Sequence, residues 1–328
     1  MKYTIQHWLL AVTAIAASCI ALAWASILET TYASTSRDLS IQEEKRTPKL
    51  GDGCYHVFLD VGANIGVHAR FLMEPHKYPN LHEKTKQIFS TYFWTPAWDC
   101  RDICVFAFEP NPNHKKQHAE MTAAYNNVGI RYHHIAAGVG DLEGNTAFYH
   151  QGDESHNEWG FSSSNTAALL RGSDAIDVVQ VPVIRLKTWL EDNIYERIIP
   201  QPYGKKMEGV SPKVVMKMDI EGSEYSVLPD LVMSGILCKT VNYIFGEFHQ
   251  YGTEVKPNPD TGRGGLNVER VVGWDKYTLA MLDTMKSLRN DDCKLEAFDW
   301  HDDEAYFDDK TPLPGKVWWL PEESQNVQ

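Results

Sequence analysis

Four acidic residues, each set where an apolar run gives way to a turn, are placed to do chemistry: Asp60, Glu109, Asp219 and Glu221. Around Asp60 the chain reads "FLDVGANIGVHARFL" over 58–72, an apolar stretch, then Gly62, Asn64 and Gly66, then a helix-like pattern. Glycines between a strand and a helix let the backbone approach a ligand, and the amides at the helix start can meet a negative group. A dinucleotide fingerprint needs glycine at position 64, where Asn64 stands, so nicotinamide cofactors are disfavoured. Glu109 ends the second apolar run, "VFAFEP", where an acid can accept both hydroxyls of a ribose. "KMDIEG", 217–222, delivers Asp219 and Glu221 with a glycine, and "FGEFH" adds Glu247 and His249 after a further apolar run. Such groups can take a proton from a reacting hydroxyl, with His249 a possible base. Paired acids can equally hold a divalent metal against a sugar-nucleotide diphosphate.

The elements that must position these residues follow from periodicity. Short apolar runs at 57–61, 105–110, 130–141, 178–185, 213–219 and 241–246 alternate with helix-compatible segments such as "NHKKQHAEMTAAYNN" and "SEYSVLPDLVMSG". That alternation predicts an α/β fold, a mostly parallel sheet with helices on both faces, which binds ligands beyond the carboxyl ends of its strands. "KLEAFDW" and "KVWWLP", separated by a Pro-Gly turn, predict an antiparallel C-terminal hairpin on the sheet's edge. His133 and His134 fall inside a strand pattern, as packed side chains would. The polar loop "DESHNEWGFSSSN", 153–165, has the composition of an acceptor-binding loop or simply an exposed one. The late acidic run "DWHDDEAYFDD" fits no calcium-loop spacing and is expected to be a solvated edge.

At this point the chain resembles the FkbM-type S-adenosylmethionine-dependent methyltransferases. "FLDVGANIGVHARFL", "FAFEPNPNH", "IAAGVGDLEGNTAFY", "VIRLKTWL" and "VVMKMDIEGSEYSVL" occur in that family's order across 57–228, with "FGEFH" a weaker match. The resemblance implies a class I, Rossmann-like methyltransferase domain and S-adenosylmethionine as cofactor. It implies that Asp60, Gly62, Asn64 and Gly66 surround the cofactor's methionine part, that Glu109 binds its ribose and that Asp141 or its neighbours lie near its adenine. It further implies that Asp219 and Glu221 face the reacting centre, and it favours oxygen as the methylated atom. The acceptor is expected to be a hydroxyl of a glycan, lipid or small metabolite. One departure is a long insertion, 74–104, between the first two strands, expected to cover the site or shape the acceptor pocket. A metal-dependent glycosyltransferase and a non-catalytic lumenal binding module stand as alternatives.

Residues 8–28, "WLLAVTAIAASCIALAWASIL", carry no charge and are long enough to cross a bilayer core. They are expected to be a signal anchor, or a signal peptide cut after Ala25, with 29–52 a flexible stem and 53–328 the methyltransferase domain. Either reading puts the body in a secretory lumen or outside the cell. No Asn-x-Ser/Thr sequon occurs. The net charge of -13 opposes nucleic acid as a partner, because phosphate affinity needs clustered cations. Cys54 and Cys104 each precede one of the first two strands, and Cys238 and Cys293 precede two late ones. The expected disulfides are therefore Cys54 to Cys104 or Cys100, and Cys238 to Cys293.

Overall fold

The structure is a computed structural model, and it describes residues 46–94, 99–150, 160–163, 177–202, 210–247, 249, 280, 283–288, 292–303, 305–306 and 308–315. The apolar segment at 1–28 and the stem up to 45 lie outside these residues. Among the described residues no helix is long and apolar enough to cross a membrane. The chain divides between Pro48 and Lys49, and the unit from Lys49 onward carries every element below. Lys49 belongs to it because its ammonium donates to the carbonyls of Glu191 and Tyr195 at 2.6 Å.

In chain order the unit contains β1 (His56–Val61), α1 (Val67–Met73), α2 (Glu83–Tyr92), β2 (Ile103–Phe108), α3 (Lys115–Asn127) and β3 (Arg131–Ile135). Then follow β4 (Gly138–Gly140), β5 (Gly144–Tyr149), β6 (Val178–Arg185), α4 (Leu186–Asn193), β7 (Val214–Met218), α5 (Glu224–Met233), α6 (Ile236–Thr240), β8 (Tyr243–Gly246) and β9 (Ala297–Trp300). The main sheet runs β3-β2-β1-β7-β8-β9, and every pairing in it is parallel. The central strands β1, β2, β7 and β8, buried along their whole length, read as mostly apolar runs, while the outer β3, RYHHI, is largely half-buried and polar. Val57, Leu59 and Val61 of β1 pack toward α4, α5 and α6, while Phe58 packs toward α1, α2 and α3.

β9, the first strand of the expected C-terminal hairpin, lies at the sheet's edge, parallel to β8 with Tyr243 opposite Ala297; the hairpin's second strand, in 316–321, lies outside the described residues. One expectation is corrected. β4, β5 and β6 leave the main sheet altogether and form a small sheet of their own, in the order β4-β6-β5. Both disulfides are present, Cys54–Cys104 and Cys238–Cys293, and Cys100 is a buried thiol whose pKa burial raises. Each bridge ties chain just ahead of one strand to chain at or ahead of another, where parallel neighbours start at the same edge.

Candidate active site

Strand order reverses direction at β1, with β2 on one side and β7 on the other, so the turns after β1 and β7 part and leave a crevice. A cavity opens there. Its lining includes Gly62, Asn64, Glu109, Val139, Phe148, Phe161, Lys217, Asp219, Glu221, Glu247, His249 and Asp302. The ends of β1, β2, β7, β8 and β9 and the small sheet thus meet at one place.

The turn after β1 is built for close approach. Gly62 has φ 84, and a Cβ there would lie 1.7 Å from the carbonyl oxygen of Asp219, so the two turns can cross only at glycine. Asn64 is left-handed too, φ 47, which points its amide at Glu109 Oε2, 2.7 Å away. The Asn111 amide donates to Oε1 at 2.8 Å. Burial pushes the Glu109 carboxyl up, but His114 and the Asn111 amide outweigh it and hold it below the usual carboxylate range. The result is an ionised acid, fixed at the cavity wall, with lone pairs left for hydroxyl groups.

On the opposite wall Lys217, 2 % exposed, donates to the Gly62 carbonyl and to Asp219 Oδ2, both at 2.9 Å. Burial pulls its ammonium down, yet Asp219, Asp302 and Asp60 together hold it well above the usual lysine range. Burial also raises Asp219, against the pull of Lys217. Asp302 pairs with His68 Nε2 at 2.9 Å. His249 Nδ1 meets Glu224 Oε1 at 3.0 Å, and Glu224 is itself anchored by the amides of Ile220 and Gly222. Burial disfavours a charged His249, but its bonds to Glu224 and Glu247, with Glu221 and Asp219 nearby, push its pKa up to about 12. A histidine so held keeps its proton at neutral pH; with the surroundings as they stand, the expected role of base passes to the carboxylates.

Of the residues expected at the site, Gly62, Asn64, Glu109, Asp219, Glu221 and His249 line the cavity, as does Glu247. Asp60 does not: it is fully buried beneath the floor, neither oxygen has a hydrogen-bond partner, and burial raises its pKa against Lys217 and His68. Gly66 packs against Met121 and Tyr132 rather than the cavity. Asp141 lies at the β4–β5 turn, close enough to Arg185 to raise its pKa, and is not among the lining residues. None of the described residues of the 74–104 insertion lines the cavity; α2 packs under the sheet with Phe58 and Phe245. His133 stacks on Phe106 and His134 on His118, both as packed rings. Most of the 153–165 loop lies outside the described residues, but Phe161 is buried at the cavity and Ser162 donates to the Glu221 carbonyl.

The acidic tail is a further correction. Asp302, Asp303 and Asp309 are buried and engaged, not a solvated edge. Sequence reasoning also passed over Lys217, Glu224 and His68. Only Lys217 carried a signal, a lone charge inside the apolar run "VVMKM".

Residues 60–290 match the methyltransferase FkbM domain, more than half of the chain. The chain belongs to the FkbM methyltransferase family. No curated protein and no solved structure matches it. The cavity lies at the switch point where open α/β sheets bind ligands, and membership of the FkbM methyltransferase family leaves the glycosyltransferase alternative without support.

Proposed function

We propose that this FkbM domain transfers a methyl group from S-adenosylmethionine to a hydroxyl oxygen of a glycan, lipid or small metabolite. The observation that carries the reading is Glu109, ionised, immobilised by two amides and facing the cavity from the end of β2, where a ribose diol is bound in this fold. The residues present fit that cofactor in two further respects. Ala137, Val139, Phe148 and Phe161 offer an apolar wall to a flat base. Glu109, Asp219, Glu221, Glu247, Asp302 and Asp303 against Lys217, His68 and His249 give the lining an excess of acid, which suits a cation such as a sulfonium.

When bound, S-adenosylmethionine supplies an electrophilic methyl carbon, so the chain has to align the acceptor oxygen and take its proton. Lys217 fixes Asp219 by one oxygen and leaves Oδ1 toward the cavity, where Asp219 or Glu247 can receive the proton. With that cofactor bound, the carboxylate would take the proton of the acceptor hydroxyl as its oxygen is methylated.

The uncharged run at 8–28 and two disulfides support a body held in a secretory lumen or outside the cell, by a single-pass anchor or after cleavage near Ala25. The surplus of acid over base argues against nucleic acid as acceptor.

Calorimetric titration of the protein with S-adenosylmethionine tests the reading. Saturable binding is expected, weakened roughly tenfold or more in Glu109→Ala, since a hydrogen bond to a charged group contributes about 1.5–3 kcal/mol. Absence of binding by the folded protein would leave the non-catalytic module in its place.

A further inference from the structure

We propose that the cavity binds a divalent metal ion through Asp219, Glu247 and His249, with Glu221 as a further oxygen donor. The argument begins at the imidazole. A carboxylate only accepts, so the contact of His249 Nδ1 with Glu224 Oε1 at 3.0 Å requires the hydrogen on Nδ1 and turns Nε2 toward the remaining acids. Three carboxylate oxygens stand around Nε2: Glu247 Oε2 at 3.3 Å, Asp219 Oδ1 at 3.6 Å and Glu221 Oε2 at 3.8 Å. Binding would release the Nε2 hydrogen that Glu247 accepts, as metal ligation by histidine does; donor atoms that share an ion at about 2.1 Å lie roughly 3.0–3.4 Å apart, so a small contraction would close this set on a metal.

The accessory groups have the arrangement such a site needs. A metal-bound histidine commonly donates its other N–H to a carboxylate, which fixes the ring and the tautomer. Glu224 does this here. Asp219, Glu224 and His249 offer ligand atoms within 4.8 Å of one another, but Glu224 is fully buried and already accepts from the Ile220 and Gly222 amides, so it orients the ring instead of ligating. Asp219, Glu221, Glu247 and His249 all line the cavity, whereas Glu224 does not. The donors are therefore reachable from solvent, with the positions on the cavity side left for other ligands. Lys217 neutralises Asp219 from behind through Oδ2, and Oδ1 is the oxygen that faces His249. One imidazole with two or three carboxylates suits an ion of the manganese or zinc kind. Where the methyltransferase reading holds, on which this last step rests, the open positions face the reacting centre and can take an oxygen of the acceptor, whose proton then passes to Glu247 Oε1, outside the donor set.

The test is titration of the full chain with manganese alone, read by the loss of the free ion's paramagnetic resonance, beside calorimetry with S-adenosylmethionine. One manganese per chain is expected. Glu247→Gln, at the half-exposed rim where the fold is safe, should weaken it about tenfold or more, and Asp219→Asn should do the same. Glu120→Gln, on an exposed face of α3, should leave it unchanged. A folded protein that binds S-adenosylmethionine but shows no saturable manganese binding would overturn the metal site and leave the methyltransferase reading standing. Manganese binding that all three variants leave unchanged would overturn it as well. Manganese binding lost in Glu247→Gln, without any S-adenosylmethionine binding, would support the metal site and remove the proposed cofactor.

Discussion

Lys217 puts one positive charge among Asp60, Asp219 and Asp302 at a depth where water hardly reaches. Breaking a buried pairing leaves an uncompensated charge and costs about 3–5 kcal/mol. Lys217→Met is therefore expected to lower the melting temperature sharply, far more than Asp219→Asn, which keeps the shape and removes one acid. Gly62 is constrained by geometry instead of charge. Gly62→Ala would drive a Cβ into the Asp219 carbonyl at 1.7 Å and strain a φ of 84, so both turns must move. Binding of S-adenosylmethionine should be lost with it, as calorimetry on the folded fraction would show. Of these two residues the sequence named Gly62, because a glycine after a strand has a reason of its own. It did not name Lys217, because the acids that need its charge arrive from three separate strand ends.

At the scale of elements, the 74–104 insertion and the acidic tail explain one another. Arg70 on α1 reaches Glu74 at 3.2 Å and Asp309 at 2.7 Å, and Tyr78 donates to the same Asp309 oxygen at 2.8 Å, all nearly out of contact with water. Asp303 accepts from the His82 amide and from Thr85 at the start of α2. The insertion thus clamps the tail, and the tail in turn presents Asp302 to the cavity and to His68. Asp309→Ala should cost about 1–3 kcal/mol, measured by thermal melt, since it takes an acceptor from the buried Arg70 guanidinium, which keeps Glu74, and from the Tyr78 hydroxyl. Asp308→Ala, on a side chain 62 % exposed, should cost nearly nothing. The acids of the tail looked solvated because composition alone does not show that an arginine, two helices and a tyrosine far back in the chain are waiting for them.

For the molecule as a whole, stability should depend on redox state and on pH. The disulfides close separations of 50 and 55 residues, and losing either is expected to cost about 2–5 kcal/mol, seen as a lower melting temperature under dithiothreitol. His56 and His118 both have pKa values lowered from 6.5 to about 4, His56 chiefly by burial and then Arg197 and Lys213, His118 chiefly by burial and then His134. The unfolded chain takes up protons near pH 6.5 that these folded sites refuse. Their contribution is therefore complete above about pH 6.5 and is lost as pH falls toward 4, on the order of 3 kcal/mol each. Melting temperature should fall over that window, and His56→Gln should flatten the fall.

Alternation of apolar runs with helical segments was enough to specify a parallel α/β sheet, because strands buried on both faces must be apolar throughout and must be joined by crossovers. The same reading placed Gly62, Asn64, Glu109, Asp219, Glu221 and His249 at one edge, since turns after parallel strands share an edge whatever the strand order. It also paired Cys238 with Cys293 and narrowed the partner of Cys54 to Cys104 or Cys100, since the segments leading into neighbouring parallel strands start together; the structure decides for Cys104. What the tertiary structure decided was where each side chain points and what meets it. It sank Asp60 beneath the floor, turned Gly66 to Met121, set Asp141 outside the lining, and made β4, β5 and β6 a separate sheet. Those outcomes depend on contacts between residues far apart in the chain, and such contacts leave no local periodicity to read.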